Sequence, residues 1–350
     1  MEMAFSEARK VKGRTLPNPA VGAVLVKAGQ VVGKGGTRPA GQAHAEIVAL
    51  ERAGSKAKGS TLYVTLEPCS HHGKTPPCVD AVIAAGVKRV VAAIADANPR
   101  VSGDGFRALE KAGIDVKVGL REEEARAFYE GFFFFIRHGR PKIILKIAQS
   151  LDGRINARPG EETAITGSEA RAWTHALRAR VDAVLVSGRT LRTDNPELTP
   201  RLVPGAPAPE AIVLSRRGPY PEEANLFAPG RPARTLVVGA SAEGLPPHVE
   251  HVPLEEFASK EAAAEALSAL FARRGYHSVL VEGGREMWSL FLNGGKADAL
   301  YVLTAPRFLP HGDRWEAGLA QDWGKSLKFR NLTRFGNDFL AEFGRSEAAE

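Results

Sequence analysis

One imidazole, one carboxylate and two thiols stand out in the first third of the chain: His44 and Glu46 in the run His44-Ala45-Glu46, Cys69 in Glu67-Pro68-Cys69, and Cys78. One imidazole and two thiolates suit zinc. Three protein ligands leave a fourth position for water, whose pKa zinc lowers to about 7. Glu46 would stand close to such a metal as a carboxylate free to move protons. The rival is a closed structural zinc with His71 or His72 as fourth ligand, which would leave Glu46 without a task. His-Ala-Glu alone means little, and two free cysteines are ordinary core residues. Their combination, with His44 at a helix start and Pro68-Cys69 after a strand, points to a metal site.

The elements that must position these residues alternate. The pattern predicts a helix over Glu2–Val11, strands at Val21–Val26 and Gln30–Gly35 joined by a turn at Gly29, and a helix from His44 to Ala53. A strand at Thr61–Thr65, a helix from Cys78 to Ala85, a strand at Arg89–Ala95, a helix at Gly105–Ala112 and a strand at Asp115–Val118 follow. A helix over Glu122–Phe135 ends in Phe132–Phe135, a run expected to be buried at a domain junction. Arg137 to Pro141 breaks the pattern, which divides the chain into residues 1–140 and 141–350. A second series follows, with strands at Ile143–Ala148, Ala183–Val186, Ala211–Leu214, Thr235–Val238 and Ser278–Val281. Helices are predicted at Ser168–Arg180, Glu261–Arg273 and Arg285–Leu292. Strands and helices in alternation predict an α/β class with two domains.

Composition agrees with an ordinary globular protein: 350 residues, 44% hydrophobic and 25% charged. No apolar run reaches the roughly 20 residues of a membrane span, and no secretory signal is visible, so the expected location is cytoplasmic, with no membrane partner. Two cysteines are too few for a disulfide framework. The whole formal net charge of +7 falls in residues 1–140. No Lys/Arg-rich run of the kind that tracks a nucleic-acid backbone accompanies it, so a small phosphorylated molecule is the better partner.

The His-x-Glu and Pro-Cys arrangement is that of zinc nucleobase deaminases, except that eight residues rather than two separate Cys69 from Cys78. The segment Glu67–Cys78, EPCSHHGKTPPC, resembles the deaminase domain of the bifunctional riboflavin-biosynthesis deaminase/reductase. PNPAVGAVLV (Pro17–Val26), AHAEIVAL (Ala43–Leu50) and ANPRVSGDG (Ala97–Gly105) extend the resemblance over most of residues 1–118. It implies a cytidine deaminase-like α/β/α sandwich with His44, Cys69 and Cys78 as zinc ligands and Glu46 as proton shuttle. It also implies that Asn18, His71, Lys74, Asp96 and Asn98 lie at a small phosphorylated pyrimidine, 2,5-diamino-6-(5-phosphoribosylamino)pyrimidin-4(3H)-one.

Residues 141–350 carry no Gly-x-Gly-x-x-Gly after a strand, so the common dinucleotide fold is not signalled. ILKIAQSLDGRIN (Ile144–Asn156), the stretch Ile165–Arg201 and VLVEGG (Val279–Gly284) resemble the reductase domain of the same family. That implies a dihydrofolate reductase-like fold and NADPH as cofactor. By the resemblance Ala148, Ala164, Thr190, Asp194 and the run Gly284, Arg285, Glu286, Met287, Trp288, Ser289 and Leu290 lie at the cofactor. Glu162, Arg178, Leu198, Arg201 and Glu282 lie at the substrate. Ala164 departs from the family pattern, in which an aromatic is common. Arg178 and Arg201 are expected to hold the 5′-phosphate bidentately, and Asp194, Glu282 and Lys146 are the candidate acids for reducing the ribosyl chain to ribityl. The family also suggests a homodimer or homotetramer. The alternatives are a zinc deaminase acting on another nucleobase or nucleotide, and a zinc-stabilised binding protein.

Overall fold

The computed structural model describes residues 1–71, 76–98, 102–161, 163–254, 257–316 and 327–345, in two units, Met1–Gly139 and Arg140–Glu350. The first unit runs α1 (Glu2–Val11), β1 (Gly22–Lys27), β2 (Gln30–Gly36), α2 (Ala45–Ala53), β3 (Thr61–Val64), α3 (Cys78–Ala84), β4 (Arg89–Ala92), α4 (Asp104–Lys111), β5 (Asp115–Val118) and α5 (Glu122–His138). Ala28 and Gly29 join β1 to β2, both with positive φ (48° and 77°), as a two-residue hairpin turn requires. The sheet order is β2-β1-β3-β4-β5, with β1 antiparallel to both neighbours and β3, β4 and β5 parallel. Glycines let helices close on both faces. A Cβ at Gly22 would lie 1.9 Å from the Ala4 carbonyl of α1, and one at Gly33 would lie 2.2 Å from the Ala49 carbonyl of α2.

Helix α5 runs three residues beyond the expected Phe135. Arg137 and His138 suit the negative end of the helix, and Gly139 closes it in the left-handed region with its N–H donating to the Phe135 carbonyl. Phe132 and Phe133 are buried in the core of this unit with Tyr129, while Phe134 and Phe135 are half-buried.

The second unit runs β6 (Lys142–Ser150), α6 (Ser168–Arg178), β7 (Ala183–Ser187), α7 (Gly188–Asp194), β8 (Glu210–Leu214), β9 (Thr235–Gly239), β10 (Glu250–Pro253), α8 (Lys260–Arg273), β11 (Ser278–Val281), α9 (Gly284–Asn293), β12 (Ala299–Ala305), β13 (Leu327–Phe335) and β14 (Asp338–Arg345). Its sheet order is β10-β9-β8-β7-β11-β6-β12-β14-β13, parallel from β10 to β12 and antiparallel beyond. The chain steps outward from β7 to β10, then returns to insert β11 between β7 and β6. Such a switch of direction opens a crevice at the carboxyl ends of these strands, where ligands bind in open α/β sheets. Helix α7 and strands β10, β12, β13 and β14 go beyond the sequence reading. Helix α7 is seven residues of mostly polar sequence and depends on the Ser187 hydroxyl, which accepts from the Thr190 N–H.

Asp298, buried before β12, anchors the start of this unit. Its carboxylate takes both arms of the Arg140 guanidinium at 2.7 Å and the Ile143 N–H at 2.9 Å. Removing one partner of a buried ion pair strands the other charge. Asp298→Ala is therefore expected to destabilise this unit by about 3–5 kcal/mol, read as an earlier urea transition in a probe specific to residues 140–350.

Candidate functional site

Strand β1 lies antiparallel to β3, so the segment entering β1 reaches the carboxyl end of β3. The loop after β4 arrives there too, because β3 and β4 are parallel neighbours. At this end His44 caps α2 in an extended conformation, Glu46 follows in the first turn, Cys69 leaves β3, and Cys78 opens α3. The His44 Nδ1 atom lies 3.6 Å from the Cys69 sulfur and 3.3 Å from the Cys78 sulfur, and all three ligand atoms fall within 4.8 Å of one another. A tetrahedral zinc with bonds of about 2.3 Å to sulfur and 2.0–2.1 Å to nitrogen requires N···S separations of roughly 3.6 Å. The donors therefore already stand at the spacing of a zinc shell, with Nδ1 as the ligating nitrogen.

The charges fit a cation as well. The neighbouring Cys78 thiol, assisted by the His44 ring and the Cys78 N–H at 3.3 Å, holds Cys69 down at about 4. That thiolate in turn pushes Cys78 up, so a cation is what both sulfurs need in order to be charged together. Glu46 is buried, and burial together with the Cys69 charge raises it to about 7, a value suited to taking and returning a proton near neutrality. His71 is exposed and does not join the three ligands, and His72 lies outside the described residues.

Glu67, in the same motif, does a different job. One carboxylate oxygen accepts from the Asp96 and Gly103 N–H groups at 3.1 and 3.0 Å, and the other accepts from Gly105 at 3.0 Å. It thereby ties Asp96, Gly103 and Gly105 to the segment that carries Cys69. A Cβ at Gly105 would lie 2.2 Å from the Pro68 carbonyl, which explains the glycine. Glu67→Ala would leave the buried Gly105 N–H unpaired at about 1–3 kcal/mol and release the half-buried Asp96 and Gly103 N–H groups. The expected result is a fall of several degrees in the melting temperature of this unit and weaker zinc retention, followed by calorimetry and metal analysis.

Of the expected substrate contacts, Asn18, Asp96 and Asn98 are half-buried in the segments that reach this end of the sheet, and Lys74 lies outside the described residues. Asn18 is held by a turn in which the Asn18 N–H donates to the Thr15 carbonyl and the Thr15 hydroxyl donates to the Asn18 carbonyl. Asn98 donates its N–H to Asp96, whose carboxyl is raised by burial. Tyr129 on α5, which sequence reasoning missed, secures the approach to β1. Its hydroxyl donates to the Ala20 carbonyl at 3.0 Å and contacts the Thr65 hydroxyl at 2.6 Å. No local pattern signals that role, because both partners come from distant parts of the chain.

In the second unit a cleft of about 700 Å³ opens at the carboxyl ends of β6, β7 and β11. The parallel register that pairs Val281 with Leu145 brings Glu282 beside Lys146. Arg178 of α6 grips Glu282 with its Nε and a terminal nitrogen at 2.6 and 2.9 Å. Two of the expected site residues are engaged with each other here. The Arg178 fork is spent on Glu282, so it does not stand open for a bidentate phosphate. Glu282 is held below the usual carboxylate range by the Arg178 and Lys146 charges in spite of its burial, so it is a fixed anion and no proton donor. Lys146 remains: burial lowers its pKa, and Glu282 opposes that shift. Arg201 lines the cleft from its exposed rim, paired with Glu197 at 3.3 Å. Leu198 lines the cleft fully buried, with φ of 55°, and Glu162 lies outside the described residues.

Ala148, Ala164, Thr190 and Asp194 also line the cleft. Asp194 ends α7 and accepts from the Thr193 hydroxyl at 2.6 Å. Ala164 is exposed, and its carbonyl takes the Arg307 guanidinium at 2.8 Å. The turn into α9 lies against the turn into α7: a Cβ at Gly283 would stand 2.8 Å from the Ser187 nitrogen. The first N–H groups of α9 have no side-chain cap, as a helix end suited to an anion requires. A phosphate-bearing cofactor fits this cradle. Helical geometry divides the expected run: Gly284, Arg285, Glu286 and Trp288 line the cleft, whereas Met287, Ser289 and Leu290 are not among its lining residues, Met287 and Ser289 being buried. Ser289 instead accepts from Lys260 of α8 at 2.7 Å. Sequence reasoning missed His175, Ser187, Arg171 and Arg189, which also line the cleft.

These two units and their sites define a two-domain α/β protein, a zinc-site deaminase domain followed by a reductase domain. Residues 1–94 match the family model described as the cytidine and deoxycytidylate deaminase zinc-binding region, and residues 141–341 match the RibD C-terminal domain. The chain belongs to the RibD family of riboflavin biosynthesis proteins. It is 42% identical to the riboflavin biosynthesis protein RibD of Aquifex aeolicus over 99% of this chain and 97% of the relative, and 39% identical to that of Escherichia coli over 88% and 87%. Among solved structures it is similar to the diaminohydroxyphosphoribosylaminopyrimidine deaminase/5-amino-6-(5-phosphoribosylamino)uracil reductase of Thermotoga maritima, at 36% identity, a TM-score of 0.79 and coverage of 99% and 97%. It is also similar to Acinetobacter baumannii RibD, at 32% identity, a TM-score of 0.75 and coverage of 99% and 98%. No helix among the described residues is long and apolar enough to cross a membrane.

Proposed function

We infer that this chain catalyses two consecutive steps of riboflavin biosynthesis. The first is hydrolytic deamination of 2,5-diamino-6-(5-phosphoribosylamino)pyrimidin-4(3H)-one. The second is NADPH-dependent reduction of the ribosyl chain of the product to ribityl. The observation that carries the reading is the zinc-spaced set His44, Cys69 and Cys78 with buried Glu46 close by, in one chain with a cleft built on Lys146, Glu282 and Arg178.

In the first unit those three residues would hold zinc, which when bound supplies an activated water and a Lewis acid. Glu46 takes the proton of the attacking water and returns it to the leaving amine. Asn18, His71, Lys74, Asp96 and Asn98 orient the pyrimidine. In the second unit Thr190, Asp194 and the start of α9 would hold NADPH, which supplies hydride to C1′ of the opened sugar. Lys146 gives the proton to the nitrogen that takes the electron pair of the opened sugar's C1′=N bond, and Glu282, fixed by Arg178, keeps that ammonium charged and aimed. Arg201 takes the substrate phosphate at the rim. The two free cysteines suit a reducing cytoplasm, and the same reading includes a homodimer or homotetramer.

Incubation of the purified protein with the diaminopyrimidinone phosphate and NADPH tests both steps by product mass. Exchange of an amino group for oxygen, followed by gain of two hydrogens, is the expected result. Exchange alone would sink the reductase assignment, and no change in a zinc-loaded sample would sink the deaminase assignment.

A further inference from the structure

Residues 195–201 form a loop on the rim of the reductase cleft and are held in an unusual shape. Asn195 and Leu198 both have positive φ, 37° and 55°. Asparagine tolerates that region. Leucine does not, and it keeps such a conformation only where the surroundings over-determine it. Leu198 is 2% exposed and lines the cleft, and Arg201 stands three residues on. The strained loop therefore carries two of the side chains that face the substrate in the reading above, on which this inference rests.

The residue next to Leu198 shows what holds the loop. The Thr199 carbonyl is approached by two side chains from adjacent turns of α6: the His175 Nδ1 atom at 2.9 Å and an Arg178 terminal nitrogen at 3.3 Å. A carbonyl only accepts, so His175 carries its proton on Nδ1. The His175 bond is the shorter of the two, and the Arg178 guanidinium is mainly occupied by Glu282. His175 is itself 2% exposed and lines the same cleft. Burial and the Arg178 and Arg201 charges lower its pKa, which favours the neutral ring. Two further tethers precede Leu198: Asn225 holds Asn195, and Arg231 reaches the Glu197 carbonyl at a longer 3.4 Å.

We propose that His175 is a positioning residue of the reductase site, whose Nδ1–H fixes the Thr199 carbonyl and thereby sets Leu198 and Arg201 against the phosphorylated sugar substrate. It makes no bond to reacting atoms, so its loss moves substrate binding more than turnover.

Three variants test this. Asparagine can place a side-chain N–H near the Nδ1 position, glutamine reaches past it, and alanine offers nothing. His175→Ala is expected to raise KM for the phosphorylated pyrimidine about tenfold or more while kcat changes less than about threefold, the pattern of lost ground-state binding. His175→Asn is expected to restore KM to within about threefold of the parent, and His175→Gln to resemble alanine. Hydrogen–deuterium exchange of residues 195–201 gives a readout that needs no turnover. It should speed up in the alanine variant and return toward the parent rate in the asparagine variant, with thermal melts showing that all three fold. Unchanged KM and unchanged exchange in His175→Ala would overturn the proposal, as would equal impairment of the alanine and asparagine variants. If the parent protein reduces no substrate yet the exchange pattern appears, the functional reading falls and what stands is that His175 holds the 195–201 loop.

Discussion

Glu46→Gln will retain zinc and lose deamination by about 10²–10⁴-fold, the usual range for removing a general acid–base. The amide is isosteric with the carboxylate and cannot carry a proton between water and amine. The three ligands sit on other residues: His44 caps α2, Cys69 follows β3 and Cys78 opens α3. Removing the Glu46 charge leaves their spacing intact, and metal analysis of the variant should match the parent. Reduction of the already deaminated intermediate should continue at the parent rate, because Lys146, Glu282 and Arg178 belong to the other unit. Near-normal ammonia release from this variant would show that Glu46 is not the proton carrier.

The second large effect is expected at Lys146. As the proton donor it must be charged, so reduction falls as pH rises through its pKa. Burial lowers that pKa below the ordinary lysine value, and the Glu282 carboxylate opposes the shift by attracting the charge. The alkaline limb of the pH–rate profile should therefore lie below the usual lysine range. Glu282→Gln removes the attraction and leaves the Arg178 charge nearby, so the limb should move to still lower pH. Lys146→Met should lower the rate by about 10²–10⁴-fold and abolish that limb. A limb that stays in place when Glu282 becomes glutamine would assign the titration to another group.

The metal centre was legible in the sequence because its residue types are scarce and chemically narrow. Two cysteines in 350 residues, with a His-x-Glu at a helix start shortly before them, leave few combinations, and thiolate and imidazole together favour zinc. Most strands and helices up to Val118 were legible from their apolar runs, and Gly13, Gly86 and Gly113 mark the ends of three of the helices. The reductase chemistry was less so. Glu282 reads as an acid by type, but its partner Arg178 is 104 residues away, and only the bidentate contact shows that it is a fixed anion. The run after Gly283 reads as one binding segment, yet a helix turns its residues in different directions, which sends Ser289 to Lys260.

By itself the sequence determined the α/β class, the candidate zinc donors and the presence of a second chemistry after residue 140. These depend on residue type and short-range period, which are local properties. The tertiary structure alone decided which histidine nitrogen meets the sulfurs, that Glu67 is a loop anchor, and that His175 and Arg178 share the Thr199 carbonyl. Each of these is a contact between segments far apart in the chain. Only the register of the sheets and the packing of the helices bring such segments together, and neither is written in any one stretch of sequence.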